Sequence, residues 1–142
     1  MKVVINGKYG GFSLSKAAVL WLAEHGSELA KNKIADMDAL VTTFGRERPE
    51  MGDEHYFEIL TACAWANGDD GKGIFDRFSW HPYEDDLPRH DQLLVQCVEE
   101  LGGRVNAPCA ALKVVEIPDG IEYQIEEYDG NEWVAEKHQT WS

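Results

Sequence analysis

Hydrophobic positions along this chain change their period several times, and each change predicts an element. Lys2 to Asn6 carries Val3, Val4 and Ile5 in succession and reads as a buried strand. Gly7, Gly10 and Gly11 then punctuate it. A helix follows from about Ser15 to His25, with Ser15 as N-cap, Gly26 as the stop, and Ala18, Val19 and Leu22 facing inward. From Ser27 to Phe44 the pattern weakens, and Leu29, Ile34, Met37, Leu40 and Val41 fit one or two short helices.

Gly45 to Gly52 reads as a loop. Asp53 is placed to cap a second clear helix, in which Tyr56, Ile59, Leu60 and Cys63 fall at i, i+3, i+4 and i+7. Gly68 to Asp91 is glycine-rich, then aromatic and charged, and is too long for an idle turn in a compact domain. A third helix is predicted from Asp91 to Leu101, with Leu94, Cys97, Val98 and Leu101 inward and Gly102-Gly103 closing it. Leu112 to Ile117 reads as a strand, Pro118-Asp119-Gly120 as a turn, and Ile121, Tyr123 and Ile125 alternate with polar residues as a half-buried strand. Asp129-Gly130 turns the chain again, and Trp133 to Ala135 reads as a returning strand, with a short helix as the alternative.

The fold class these elements predict is α+β, in one domain spanning residues 1–142. A mostly antiparallel sheet, built from the N-terminal strand and the C-terminal hairpin, is covered by about three helices. Pairing of that strand with the hairpin would bring the chain ends together.

Composition narrows the function classes. A chain of 142 residues with 44% hydrophobic content can bury a core without disulfides or metal. No apolar run approaches the roughly 18 residues that span a bilayer, and Met1 to Asn6 turns polar too early for a signal peptide. A cytoplasmic location is the expectation. Cys63, Cys97 and Cys109 are odd in number and set among apolar neighbours, which predicts buried free thiols. The net charge of −13 opposes direct binding to nucleic acid or to an anionic membrane. It is compatible with simple solubility, or with an acidic face that occupies a basic protein surface, as a DNA mimic would.

Candidate chemistry lies in two places. The first is the strand–glycine–helix passage, where Tyr9, Gly10, Gly11, Ser13 and Ser15 precede a helix whose N-terminal N–H groups can hold a phosphate. It matches neither the GxxxxGK[ST] nor the GxGxxG pattern, and a tight turn with an ordinary serine cap is the plainer reading. The second is Arg77 to Asp91, where Phe78, Trp80 and Tyr83 lie near Arg77, His81, Arg89 and His90. Aromatic rings stack on bases and the basic groups meet phosphate, although such a loop can equally cover the core. His81, Asp85, Asp86, His90 and Asp91 are metal-ligand types without a zinc spacing, so no metal site is assigned. Glu122, Glu126, Glu127, Asp129 and Glu132 read as the wet face of a sheet. No catalytic residue and no cofactor is assigned.

Several stretches resemble a group of small acidic phage and prophage proteins. They are Met1-Lys2-Val3-Val4-Ile5-Asn6 with Tyr9-Gly10-Gly11-Phe12-Ser13-Leu14-Ser15, then a second stretch from Leu87-Pro88-Arg89-His90-Asp91 through Val98-Glu99-Glu100-Leu101-Gly102 and Leu112-Lys113-Val114-Val115-Glu116-Ile117-Pro118-Asp119-Gly120. It ends with Ile125-Glu126-Glu127-Tyr128-Asp129-Gly130, Glu132-Trp133-Val134 and Glu136-Lys137-His138 before Trp141. The middle, residues 27–79, lies outside the resemblance as a divergent or inserted region. What the resemblance implies is a viral setting, in which small proteins without catalytic signatures act by binding. The expected function is therefore non-enzymatic capture of a small nucleotide-type signalling ligand, as a counter-defence. Its site would be Tyr9, Gly10, Gly11, Ser13 and Ser15, with Arg89 and His90 as outer donors, in a homo-oligomer whose copies share pockets. The alternatives are an acidic inhibitor of a host protein and a small nucleotide-processing enzyme.

Overall fold

Val3, Val4 and Ile5 are all buried in β1 (Lys2–Asn6), as three successive apolar residues require when both faces of a strand are covered. A computed structural model of the chain describes residues 1–67, 78–108 and 110–137. Readings that fall on 68–77, on Cys109 and on 138–142 lie outside these residues.

Three helices begin where a side-chain oxygen replaces the missing backbone acceptor. Ser15 accepts from Ala18 N at the start of α1 (Lys16–Glu24), and Ser27 accepts from Ala30 N at the start of α2 (Glu28–Phe44). Asp91 does the same for Leu94 N in α4 (Gln92–Leu101). Among the described residues a further helix, α3 (Tyr56–Asn67), follows the loop that carries Asp53. The passage read as one or two short helices is a single helix of 17 residues. Only Ala30 and Met37 of α2 are fully buried, with Leu29, Ile34, Leu40 and Val41 packed at the edge of the core. That thin stripe explains its weak periodicity. In α3 the burial shifts toward the C-terminal end, at Ala62, Cys63, Ala64 and Trp65, while Tyr56, Ile59 and Leu60 are half-buried.

After α4 a short 3₁₀ turn, Gly102–Val105, leads to β2 (Leu112–Glu116), β3 (Tyr123–Tyr128) and β4 (Asn131–Glu136). The arrangement is α+β, with the strands in two small antiparallel sheets. β1 pairs with β2, Val4 opposite Val114, and the β3–β4 hairpin pairs within itself, Ile125 opposite Val134. β1 therefore does not join the last hairpin by ladder bonds. The two sheets meet through side chains, because the Asn6 N–H donates to the Glu132 carboxylate at 2.7 Å.

One buried cluster runs from Val4 through Leu14, Leu22, Met37, Trp65 and Trp80 to Leu94 and Val105. The middle region thus contributes to the same core as the residues flanking it. The chain from Phe78 to Asp91 is fastened across that core. Trp80 and Leu14 exchange N–H···O bonds at 2.8 and 3.0 Å, Leu87 is buried, and the Val4 N–H donates to the Arg89 carbonyl at 2.8 Å. No helix among the described residues is long and apolar enough to cross a membrane.

Candidate functional site

The glycine turn and the opening of α1 pack against protein. Ser15 is fully buried; its hydroxyl accepts from Ala18 N at 3.2 Å and donates to the Arg104 carbonyl at 2.6 Å. Ser13 is also buried, at 1% exposure. The close approach that Gly10 and Gly11 permit is to the tip of the β3–β4 hairpin. Gly10 N donates to the Asp129 carbonyl at 3.0 Å, and a β-carbon on Gly130 would lie 2.7 Å from the Gly10 carbonyl carbon. Asn6, itself fully buried, donates through Nδ2 to the carbonyls of Lys8 and Gly130 and accepts the Ala111 N–H. Tyr9 is 59% exposed and meets Tyr128 edge-on. The passage serves as a seam between the two sheets, with Tyr9 outside it.

Arg89 and His90 lie elsewhere and do different work. Arg89 is 7% exposed and forms a two-pronged pair with Glu132, Nη1 to Oε1 at 2.7 Å and Nη2 to Oε2 at 3.0 Å. Its guanidinium carbon sits over the Phe12 ring, 3.6 Å from the centroid, while its Nε is buried with no protein partner. Glu132, read from the sequence as a wet strand carboxylate, is instead a buried anion at 8% side-chain exposure. Its position two residues before Val134 puts both on the inward side of β4, and an inward carboxylate needs a cation.

His90 is exposed, and its Nδ1 lies 2.6 Å from the Tyr123 hydroxyl on β3. The two rings meet edge to face at 5.8 Å. Burial, with a smaller push from Glu84, holds the Tyr123 phenol above its ordinary pKa despite the nearby Arg89 charge. Arg89, His90 and Tyr123 line a cleft of about 820 Å³ between the 84–90 loop and β3. Glu84, Asp85 and Glu122 supply acceptors there, Lys137 a cation, and Pro88, Ile121 and Ile125 apolar wall. Neither Tyr9 nor the two serines reach it.

The aromatic segment divides between core and surface. Phe78 and Trp80 are buried at 3% and 8%, whereas Tyr83 is 78% exposed. His81 lies in a second cleft, against α2, so the two histidines are not neighbours. Among the described residues no three His, Cys, Asp or Glu side chains converge as metal ligands. Asp91 caps α4. Cys63 and Cys97 are free and buried, and burial pushes the Cys97 thiol up to about 12.

Compared with protein-family models, curated proteins and solved structures, the chain matches none.

Proposed function

We propose that this protein binds a small nucleotide-type ligand in the cleft between the 84–90 loop and β3, without transforming it. The observation that carries this reading is the His90–Tyr123 pair at the lip of an 820 Å³ hollow, a size suited to a ligand of a few hundred daltons. The two rings offer aromatic surface to a base. Glu84, Asp85 and Glu122 would accept from its exocyclic N–H groups, and Lys137 would meet a phosphate. Behind them the Arg89–Glu132 pair keeps the wall in place, which limits the entropy lost on binding.

In a phage, capture of this kind would withdraw a host alarm nucleotide. A second copy of the chain, as expected from the sequence, would add walls to the open side of the cleft. The test is a thermal-shift screen against cyclic di- and trinucleotides and ADP-ribose derivatives, followed by heat release and chromatography. A raised Tm with the ligand returned intact supports the reading. Absence of any shift at saturating ligand removes it, and altered ligand makes the protein an enzyme.

A second reading has its own observation. The hairpin displays Glu126 and Trp133 together, the indole Nε1 donating to Oε2 at 3.0 Å, with Tyr128 72% exposed nearby in sequence. Exposed aromatics among carboxylates suit a basic protein partner. Salt-sensitive capture of a host protein, with no nucleotide shift, favours this inhibitor role.

A further inference from the structure

Ser79 and His81 flank Trp80, whose bridge to Leu14 fixes this stretch of backbone against the core. Alternation about the buried indole turns both outer side chains to one side. There the Ser79 hydroxyl lies 3.0 Å from His81 Nε2, and His81 Nδ1 lies 2.9 Å from the Phe12 carbonyl oxygen. A carbonyl oxygen only accepts, so in the neutral ring the proton sits on Nδ1. The Nε2 lone pair then faces Ser79, and the hydroxyl donates to it. The order is nucleophile, base and orienting acceptor, with a main-chain carbonyl where a carboxylate often stands.

Ser79 and His81 line a cleft of about 470 Å³ against α2. Leu29, Trp80 and Pro82 give it apolar surface, and Asn32 and Lys33 of α2 supply N–H donors. Asp36 and Asp86 line the same space.

We infer that Ser79, His81 and the Phe12 carbonyl form an acyl-transfer centre for small esters, separate from the cleft beside β3. The Ser79 oxygen attacks the ester carbonyl carbon while His81 Nε2 takes the hydroxyl proton. The tetrahedral intermediate collapses as His81 returns that proton to the departing alcohol, which leaves an acyl-serine. Water, deprotonated by the same nitrogen, then attacks the acyl carbon; the carboxylic acid departs and Ser79 regains its proton. No oxidant, metal or further reactant enters the balance. The Phe12 carbonyl is a positioning group, since it holds the tautomer and touches no substrate. Being uncharged, it stabilises the imidazolium less than a carboxylate would, so turnover should be slow.

The test treats the full chain with a fluorophosphonate, which reacts with activated serines, and reads the adduct by intact mass and peptide mapping. Hydrolysis of 4-nitrophenyl acetate is followed in parallel. One adduct on Ser79, absent from Ser79→Ala, is expected. His81→Asn, whose amide can still donate to Phe12 O, should slow labelling and turnover by about 100-fold or more. Ser79 is only half-buried, so Ser79→Ala keeps the fold and decides the matter if His81→Asn does not. No adduct, an adduct elsewhere, or unchanged hydrolysis in Ser79→Ala overturns the proposal.

Discussion

Glu132 receives both terminal nitrogens of Arg89, and the same carboxylate oxygen that takes Nη1 also takes the Asn6 N–H at 2.7 Å. One buried anion thereby ties β4 to the 84–90 loop and to the end of β1. The Arg89 carbonyl closes the circuit by accepting the Val4 N–H. Both clefts lie on the loop that this pair anchors.

Removing one member should cost far more than removing both. Arg89→Met leaves an uncompensated carboxylate in the interior and is expected to lower stability by about 3–5 kcal/mol. The double variant Arg89→Met with Glu132→Leu should recover part of that loss, but not all, since the Asn6 N–H loses its acceptor. Urea unfolding of the three proteins measures it, and equal losses in single and double variants would refute the buried-pair account.

Ligand binding should separate from the serine cap. His90→Ala and Tyr123→Ala are expected to weaken a nucleotide identified by the screen by about 10-fold each, a loss of roughly 1.4 kcal/mol. Ser15→Ala should lower stability by about 1–2 kcal/mol through its cap and leave the affinity unchanged. Isothermal titration distinguishes the two groups. Weakened binding in Ser15→Ala alone would return the site to the helix opening.

Gly130 and Gly120 both have positive φ, 88° and 81°. A β-carbon on Gly130 would meet the backbone of Gly10 and Gly11, whereas nothing lies within 4 Å of one on Gly120. Gly130→Ala should therefore destabilise by about 1–3 kcal/mol more than Gly120→Ala, because strain is common to both and overlap is not. Similar melting temperatures would show that the seam between the sheets yields freely.

Cys97 should be silent to thiol reagents until the chain unfolds. The folded thiol is held at about 12 against an ordinary 9.0. A raised acid contributes stability that is complete below the unfolded pKa. Between pH 9.0 and about 12 the unfolded thiol ionises first, so this contribution declines as pH rises. Cys97→Ala should flatten that alkaline decline, and wild-type and variant unfolding curves at pH 8 and pH 10 test it.

Much of the local structure was legible in the residues. The strand at Lys2–Asn6, the cap at Ser15 and the helix opening at Asp91 stand where period and capping chemistry put them. Asp129-Gly130 supplies two consecutive positive-φ residues, 52° and 88°, as a tight hairpin turn demands. The α2 helix was harder to read, since only two of its residues are fully buried and a narrow stripe resembles a broken one. The candidate site was legible only in part. Arg89 and His90 do line a cleft, but the glycines marked with them close against the hairpin, Ser15 closes against the 3₁₀ turn, and Ser13 is buried.

The division follows the range of the forces. Helix starts, turns and alternation depend on groups within a few residues, so the order of side chains along the chain determined them here. Which partner a polar group meets depends on how distant segments cross, and local periodicity carries no record of that. Glu132 and Arg89 stand 43 positions apart, and Phe12 orients His81 across 69. Only the folded chain decided that one carboxylate is buried and that a serine beside a tryptophan meets an imidazole held by a distant carbonyl. For Arg89 and Glu132 the physical reason is desolvation: packing removes water from both, and each must then find its partner within the protein.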